Sequence, residues 1–444
     1  MNSYEERAAS LARLVAADAE SGLRLAKQTS NLFRDRETAA RKRLDVRAFD
    51  HVIEVNAYAG WVDVEGMVTY ERLVDETLRA GVMPAVVPQL KSITIGGAAA
   101  GVGIEATSFR HGLVHESLME IDILVPDGRV LKCTPENAYR DLFYGFPNSY
   151  GTLGYALRLR ARTLPVKPFV KITRERYDDA RAFFAAIERI AAGDADFVDG
   201  VVFSPTEIYL NVGRLVEEAP YASDYSYEHI YYRSIREKSI DFMTVRDYLW
   251  RWDTDWFWCS RNVFAEVPFI RKLYGRKRLN SRTYTQIMRW NSRLGLTRTV
   301  ERLRGLSSES IIQDVDIPIK HAPAFFDFLF EKIGITPMWI CPIGSPATSS
   351  CYPLYPMEPG ILYINFGFWD VKRTKIRHPP GHFNRLIERR VIELRGIKSL
   401  YSDSYFTPEE FAKAYGGEQY RALKAKYDPR GRLGDHYEKC VLRG

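Results

Sequence analysis

Apolar and polar positions alternate with period two in HVIEVN (51–56) and WVDVEG (61–66), on either side of Ala57-Tyr58-Ala59-Gly60, and this pattern predicts a β-hairpin. The period then lengthens. Leu73, Val74, Thr77 and Leu78 share one face of a helix that begins near Thr69 and stops at Gly81. After the strand-like MPAVVP, a second hairpin is marked by MEIDILVP and RVLKCT around Asp127-Gly128, a dipeptide that tolerates positive φ. ALRLRARTL then runs as a strand towards Pro165, Lys167 and Pro168, where a domain boundary is expected. Upstream, the first twenty residues read as an amphipathic helix, Leu23–Ala26 as a short strand and residues 27–31 as a polar turn.

From Val170 onward the pattern changes to longer helices and new strands. ARAFFAAIERIAA and APAFFDFLFEKI carry helical periodicity, whereas FVDGVVFS, EIYLNVGR, IIQDVDIPI, PMWICPI and ILYINFGFW read as strands. Their irregular spacing predicts an α+β domain with a largely antiparallel sheet. TPEEFAKAY and EQYRALKAKYDP close the chain as helices.

Bulk properties narrow the field. A chain of 444 residues exceeds what one core usually spans, so two domains are expected. The five cysteines show neither paired nor metal-type spacing, which argues against a disulfide scaffold or a zinc site. The N-terminal segment carries acids and does not read as a secretory signal, and no apolar run approaches the roughly 20 residues needed to span a bilayer. A cytoplasmic protein is the expectation, with any membrane contact peripheral.

The net charge of +7 is unevenly spread: residues 271–304 hold eleven Lys or Arg and one acid, Glu301. Ile287, Trp290, Leu294 and Leu296 interleave with these cations, which suggests an amphipathic segment lying on anionic lipid at the inner face of the cell membrane. A solvated cationic helix is the plainer alternative. No nucleic-acid module accompanies the basic run, so a nucleic-acid partner is not expected.

Candidate chemistry concentrates in ITIGGAAAGVGIEATSFRHG (93–112). Gly96, Gly97, Gly101 and Gly103 sit among alanines, so the backbone can offer amide N–H groups to phosphate oxygens, or can simply pack tightly. GVGIEA lacks the third glycine of the nicotinamide Rossmann fingerprint, which disfavours that fold. A second small-residue motif, PNSYGTLG (147–154), precedes a strand.

These segments have a family likeness. VDVEGMVTYERLV (62–74), PAVVPQLKSITIGGAAAGVGIEATSFRHGLVHES (84–117), DGRVLKCTPEN (127–137) and DLFYGFPNSYGTLG (141–154) resemble, in this order, the FAD-binding domain of the vanillyl-alcohol-oxidase-like, or PCMH-type, flavoproteins. The likeness is greatest to the sterol delta-24 reductase branch. LAKQTSNLFR (25–34), IYYRSI (230–235), WRWDTDWFWCSR (250–261), PLYP (353–356) and residues 398–429 are similar to bacterial flavoproteins that reduce or desaturate branched fatty-acyl chains.

The resemblance implies a two-domain α+β fold: an FAD-binding domain at 1–166, a substrate domain at 167–395, and a segment at 396–444 packed at their junction. It places Thr29, Ser30 and Asn31 in a pyrophosphate-binding turn. Gly96, Gly97, Gly101, Gly103, Ile104, Glu105 and Ser108 fall in the second cofactor segment, and Gly151, Leu153 and Gly154 near the flavin. Many relatives bind flavin covalently through a histidine in the first turn; Gln28–Asn31 contains none, so non-covalent FAD is expected. The implied activity is reduction of a methylene or unsaturated fatty-acyl chain with NADPH as donor. The reverse desaturation, and a lipid-binding flavoprotein without turnover, remain open alternatives.

Saturating a C=C bond needs a proton source beside the flavin. Tyr401, Asp403 and Tyr405 alternate in SLYSDSYF and would face one side of an extended segment. Tyr401 is the first candidate donor, with Asp403 orienting it; ordinary strand packing explains the same pattern. His111 is a further candidate and His115 another, flanking the glycine run. If residues 250–258 are helical, Trp252 and Trp256 share a face and, with Tyr405, would line an apolar substrate pocket; a membrane-facing belt and ordinary domain core are the competing readings of this aromatic cluster.

Overall fold

The computed structural model describes residues 3–18, 21–26, 33, 41–294 and 306–442. Strands are numbered in chain order: β1 (Leu23–Ala26), β2 (Lys42–Asp45), β3 (Val52–Asn56), β4 (Trp61–Glu65), β5 (Val82–Pro84), β6 (Leu118–Leu124), β7 (Val130–Cys133) and β8 (Tyr155–Pro165). β3 to β8 form one sheet in the order β3-β4-β8-β6-β7, with β5 paired to β8. Every pairing in it is antiparallel. β1 and β2 form a separate parallel pair.

Both expected hairpins are present, and Gly128 turns the second with φ +91°. The helix Tyr70–Arg79 is capped by the Thr69 side chain and followed by Gly81 at φ +73°. On the polar face of β8, Arg158 binds Asp63 (2.6 Å) and Glu120 (2.7 Å), and Arg160 also binds Asp63 (2.7 Å). With the Arg158–Asp122 contact (3.4 Å), these pairs let three acids and two arginines sit on one face of the sheet. The N-terminal helix Tyr4–Ala16 covers it, with Tyr4 donating to Asp122 (2.7 Å).

The second sheet is built from β9 (Phe169–Tyr177), β10 (Phe197–Ser204), β11 (Glu207–Val216), β12 (Ile240–Thr244), β13 (Ser307–Pro318), β14 (Met338–Ile343), β15 (Tyr363–Thr374) and β16 (Ile397–Lys398). Its order is β12-β9-β11-β10-β14-β15-β13-β16, antiparallel throughout. The helices Ala180–Ala191, Ala322–Phe328 and His382–Glu393 pack Phe183, Phe184, Phe325, Phe326, Phe383 and Ile387 into one apolar cluster with this sheet. In sequence the first sheet ends at Pro165 and the second begins at Phe169.

The C-terminal helices Pro408–Ala414 and Gly417–Tyr427 return to the first sheet. Lys424 donates to the Thr152 carbonyl (2.8 Å) and pairs with Asp428 (2.5 Å). Arg432 is buried and donates to the carbonyls of Ser21 (3.0 Å), Val15 (3.4 Å), Pro126 and Asp18, while its own carbonyl accepts from Leu23 (2.8 Å).

Candidate functional site

A cavity of about 540 Å³ runs between the two sheets. Glycines and cations form one part of its wall: Gly96, Gly97, Gly101, Gly103, Gly151 and Gly154, with Arg24, Arg41, Arg43 and Lys439. Aromatic side chains dominate the other part: Phe33, Trp256, Phe257, Trp339, Trp369 and Tyr401, together with Asp314.

The glycines do two different jobs. A Cβ on Gly96 would sit 2.6 Å from the Gly66 carbonyl oxygen, and one on Gly103 would lie 2.6 Å from Val114 Cγ2, so these two permit close packing within the protein. A Cβ on Gly97 meets only the Thr94 hydroxyl (2.9 Å), and one on Gly101 would be tight against the Gly97 carbonyl oxygen (3.3 Å) and in ordinary contact with the Tyr150 ring (3.6 Å). Their missing side chains leave room on the cavity side, where a ligand can reach the backbone. The loop before β8 is contorted: Asn148 (φ 60°), Tyr150 (φ 52°) and Gly151 (φ 77°) are left-handed. Such strain in non-glycine residues persists where the surroundings enforce it, and it clusters at ligand sites. Asn148 is held by a 2.6 Å bond to the Leu354 carbonyl, and Tyr150 N by the Ala100 carbonyl (2.8 Å).

At the aromatic part, β16 pairs Lys398 with Val315 of β13 and Ser399 N bonds the Asp314 carbonyl (2.9 Å), which brings Tyr401 to the Asp314 side chain. The Trp369 indole N–H donates to the Tyr401 hydroxyl oxygen (2.9 Å). An indole N–H can only donate, so the tyrosine's own proton is free to point at the carboxyl or into the cavity. Burial pushes the Asp314 carboxyl up to about 7, with Asp316 adding to the rise and the bond to Tyr401 opposing it. Burial, then the neighbouring carboxylate, hold the Tyr401 phenol far above the ordinary tyrosine range. Both groups are therefore proton carriers at neutral pH.

The remaining expected residues are distributed as follows. Ile104 and Trp256 line the cavity; Leu153 is fully buried, and it, Glu105, Ser108 and Trp252 are absent from the lining. Glu105 is instead part of a buried hub in which Arg251 binds it (3.0 Å) and Asp199 (2.7 Å), while Trp339 Nε1 donates to Asp199 (3.2 Å). Burial raises Glu105 to about 7 against the pull of Arg251. The hub ties the glycine segment to β10 and fixes the Trp339 wall. The Ser108 hydroxyl accepts from Glu105 N (3.0 Å) and so shapes the same segment. Thr29, Ser30 and Asn31, with the whole first turn, lie outside the described residues, as does Leu296.

Residues 250–258 are not helical. The helix Val245–Leu249 gives way to consecutive turns in which Trp256 (φ 43°) and Phe257 (φ 60°) are left-handed. Trp256 and Phe257 both line the cavity, while Trp252 packs against Tyr231 (4.9 Å) and stacks behind Phe257 (4.7 Å). Tyr401, Asp403 and Tyr405 likewise do not share a wall. The fully buried Lys398 needs Glu388 (3.2 Å), Ser404 Oγ (2.6 Å) and the Asp403 carbonyl (2.7 Å), and this curls the chain after Ser399. Tyr405 consequently packs against Gly381 and its N–H bonds Glu388 (3.0 Å).

His111 ends the helix Ser108–His111 and does not line the cavity. His115 is buried edge-on to Tyr352 (4.5 Å), and burial pushes it down to about 3, so it stays neutral. Asp50, His51 and Glu65 bring ligand-type atoms within 4.8 Å of one another. Arg7 already occupies the Glu65 carboxylate, which makes that trio an ion-pair cluster.

Sequence reading missed Asp314, Trp339, Trp369, Arg41 and Arg43. The D-x-D of IIQDVDIPI was the available signal, since two acids two apart share one face of an otherwise apolar strand.

The family profile described as an FAD binding domain matches residues 8–134. The delta(24)-sterol reductase of Homo sapiens is 27% identical over 87% of this chain and 75% of its own length. That of Arabidopsis thaliana is 24% identical over 91% of this chain and 77% of its own. Cytokinin dehydrogenase 10 of Oryza sativa subsp. japonica is 27% identical over 43% of this chain and 38% of its own. With an FAD-binding domain matched over the segment that supplies Gly96, Gly97, Gly101 and Gly103 to the cavity, and a large antiparallel sheet closing its far side, the chain is an FAD-dependent oxidoreductase of two-sheet α+β architecture, distantly similar to the delta(24)-sterol reductases.

Proposed function

We propose that the protein reduces a carbon-carbon double bond in the acyl chain of a lipid, with NADPH as the electron donor and FAD held without a covalent bond. The observation that carries this reading is Tyr401 beside Asp314 in a cavity lined by aromatic side chains, glycine backbone and cations. When bound, the flavin supplies hydride equivalents. Gly97 and Gly101 let it approach the chain, and Arg41 and Arg43 offer charge for a pyrophosphate.

The protein's own part is the proton. Tyr401 donates its phenolic proton to the substrate carbon that does not receive hydride, and the Trp369 N–H stabilises the phenolate left behind. Asp314, protonated up to about pH 7, then returns a proton to Tyr401. Phe33, Trp256, Phe257, Trp339 and Trp369 exclude water and pack against an alkyl chain rather than a polar substrate. The name shared by the sterol reductases in two kingdoms supports C=C reduction.

Anaerobic mixing of the oxidised protein with NADPH, and of the reduced protein with lipids bearing a methylene or an internal double bond, tests the proposal. Bleaching by NADPH followed by reoxidation with unsaturated lipid is the expected result. Bleaching by the saturated lipid instead would replace it with a desaturase.

A further inference from the structure

We infer that the surface formed by residues 264–290 docks the protein on an anionic lipid bilayer. Among the described residues, five of the fourteen exposed large hydrophobic side chains fall in this short stretch: Phe264, Val267, Phe269, Leu273 and Trp290. On the helix Pro268–Tyr274, Phe269 (72% exposed) and Leu273 (66% exposed) are four residues apart and share the outward face. Arg271 points the other way, 4% exposed, and is clamped by Asp255 (2.6 and 3.1 Å). The helix is thus fixed with its apolar stripe outward.

Phe264 extends the stripe in an unusual way. It is 67% exposed although its backbone is left-handed (φ 56°), a conformation that bulky residues avoid. The conformation is held because Arg271 bonds the Ala265 carbonyl (3.2 Å), while the Glu266 carboxylate is gripped by Tyr232 (2.7 Å), Arg233 (2.5 Å) and Ser260 (3.2 Å). A rigid frame that holds a phenyl ring in water is explained by a partner that takes the ring.

Charge selects the partner. Residues 267–300 contain no acid, and Lys272, Arg276, Lys277, Arg278 and Arg282 stand in the same stretch of chain as the apolar stripe, Arg276 paired with Asp224 (3.0 Å) and Arg282 near Glu71 (3.7 Å). A polar cleft of about 420 Å³ lies at the foot of the helix, lined by Lys91, Arg246, Arg276, Lys277 and Arg282 against Glu71, Asp247 and Asp253, with room for an anionic headgroup. Exposed aromatic and leucine side chains in a cation-rich, acid-free stretch match an interface of acyl chains beneath anionic headgroups better than a protein surface, which would have to supply an apolar groove and an acidic rim in register. The inference stands on this surface alone, independently of the reaction proposed above. No helix among the described residues is long and apolar enough to cross a membrane.

Full-length, FAD-loaded protein is sedimented with vesicles of phosphatidylcholine and with vesicles containing about one-third phosphatidylglycerol. The expected result is capture by the anionic vesicles, weakened by salt, and weakened at least about tenfold in Phe269→Asp/Leu273→Asp. In Lys272→Glu/Arg278→Glu the loss should be about fivefold per charge or more. Flavin absorbance and gel-filtration volume, which the exposed substitutions should leave unchanged, establish that each variant is folded. Equal capture by neutral and anionic vesicles overturns the inference. So does unaltered capture of folded Phe269→Asp/Leu273→Asp, or a self-association lost in that variant without vesicle binding in the parent.

Discussion

Replacing Tyr401 by Phe removes one oxygen and keeps the ring in its edge contact with Phe33 (5.8 Å). The Trp369 indole N–H loses its bond, and the Asp314 carboxyl loses its polar neighbour. A buried group left without a partner costs about 1–3 kcal/mol. Both groups here border the cavity, where water can enter and substitute, so the expected cost is at the lower end, about 1–2 kcal/mol in all. That is small beside a typical stability of about 5–15 kcal/mol, so the variant folds and binds flavin.

Catalysis should suffer far more. General acid catalysis contributes about 10²–10⁴-fold, and all of it falls on the step in which reduced flavin meets unsaturated substrate. Anaerobic stopped-flow with pre-reduced protein isolates that step through the return of flavin absorbance, while mixing oxidised protein with NADPH reads the other half-reaction, which should be unchanged.

The pH profile adds a second check. Asp314 must be protonated to restore Tyr401 after each donation, so steady-state turnover is fast below about pH 7 and slows as pH rises through that value. Asp314→Asn should be slower throughout and lack the inflection. A substrate step within about threefold of the parent in flavin-loaded Tyr401→Phe refutes the reasoning.

Further outcomes follow from the same geometry. Gly97→Val should raise the FAD dissociation constant by about tenfold or more while moving the flavin-free melting temperature by under about 2 °C, because only the Thr94 cap is disturbed; Gly103→Val should instead destabilise both forms by about 1–3 kcal/mol through its clash with Val114. Arg251→Met leaves Glu105 and Asp199 facing each other in the interior and should lower stability by about 3–5 kcal/mol in denaturant titration, with the loss partly recovered in acid, where Glu105 is neutral. Glu116 is pushed up from 4.5 to about 7 by burial, so the folded state holds a proton that the unfolded chain releases; stability should fall as pH rises from about 4.5 to about 7, by on the order of 2–3 kcal/mol. Glu116→Gln, which keeps an acceptor for Leu113 N, should flatten that fall in melting temperatures taken across the window.

What could be read from the sequence was what local pattern encodes. The hairpins around Asp127-Gly128 and residues 57–60 and the helix after Thr69 all rest on interactions within a dozen residues, and they are present as expected. The glycine run announced a close backbone approach, but not that Gly96 and Gly103 serve packing while Gly97 and Gly101 open onto the cavity, because that division depends on Gly66 and Val114 arriving from elsewhere. Asp314 was invisible as a site for a related reason. Its role needs β16 to bring Tyr401 alongside and Gly367 to sit opposite, where a side chain would lie 2.6 Å from the Asp314 carboxyl oxygen. Periodicity failed outright at residues 250–258, where left-handed Trp256 and Phe257 turn a run that looks helical into part of the cavity wall.

The hold of Arg432 on the carbonyls of Val15, Asp18, Ser21 and Pro126 links amino acids made early to one made more than 300 positions later. As the polypeptide emerges from the ribosome, the half that carries the first sheet therefore remains unfinished, lacking the guanidinium that knits the N-terminal helix to the turn after β6. Excised by itself, that half would expose four unbonded carbonyls and the apolar floor beneath Leu423 and Leu433. Engineers seeking a minimal flavin carrier from this fold would do better to splice the tail onto it than to cut at the boundary between the sheets.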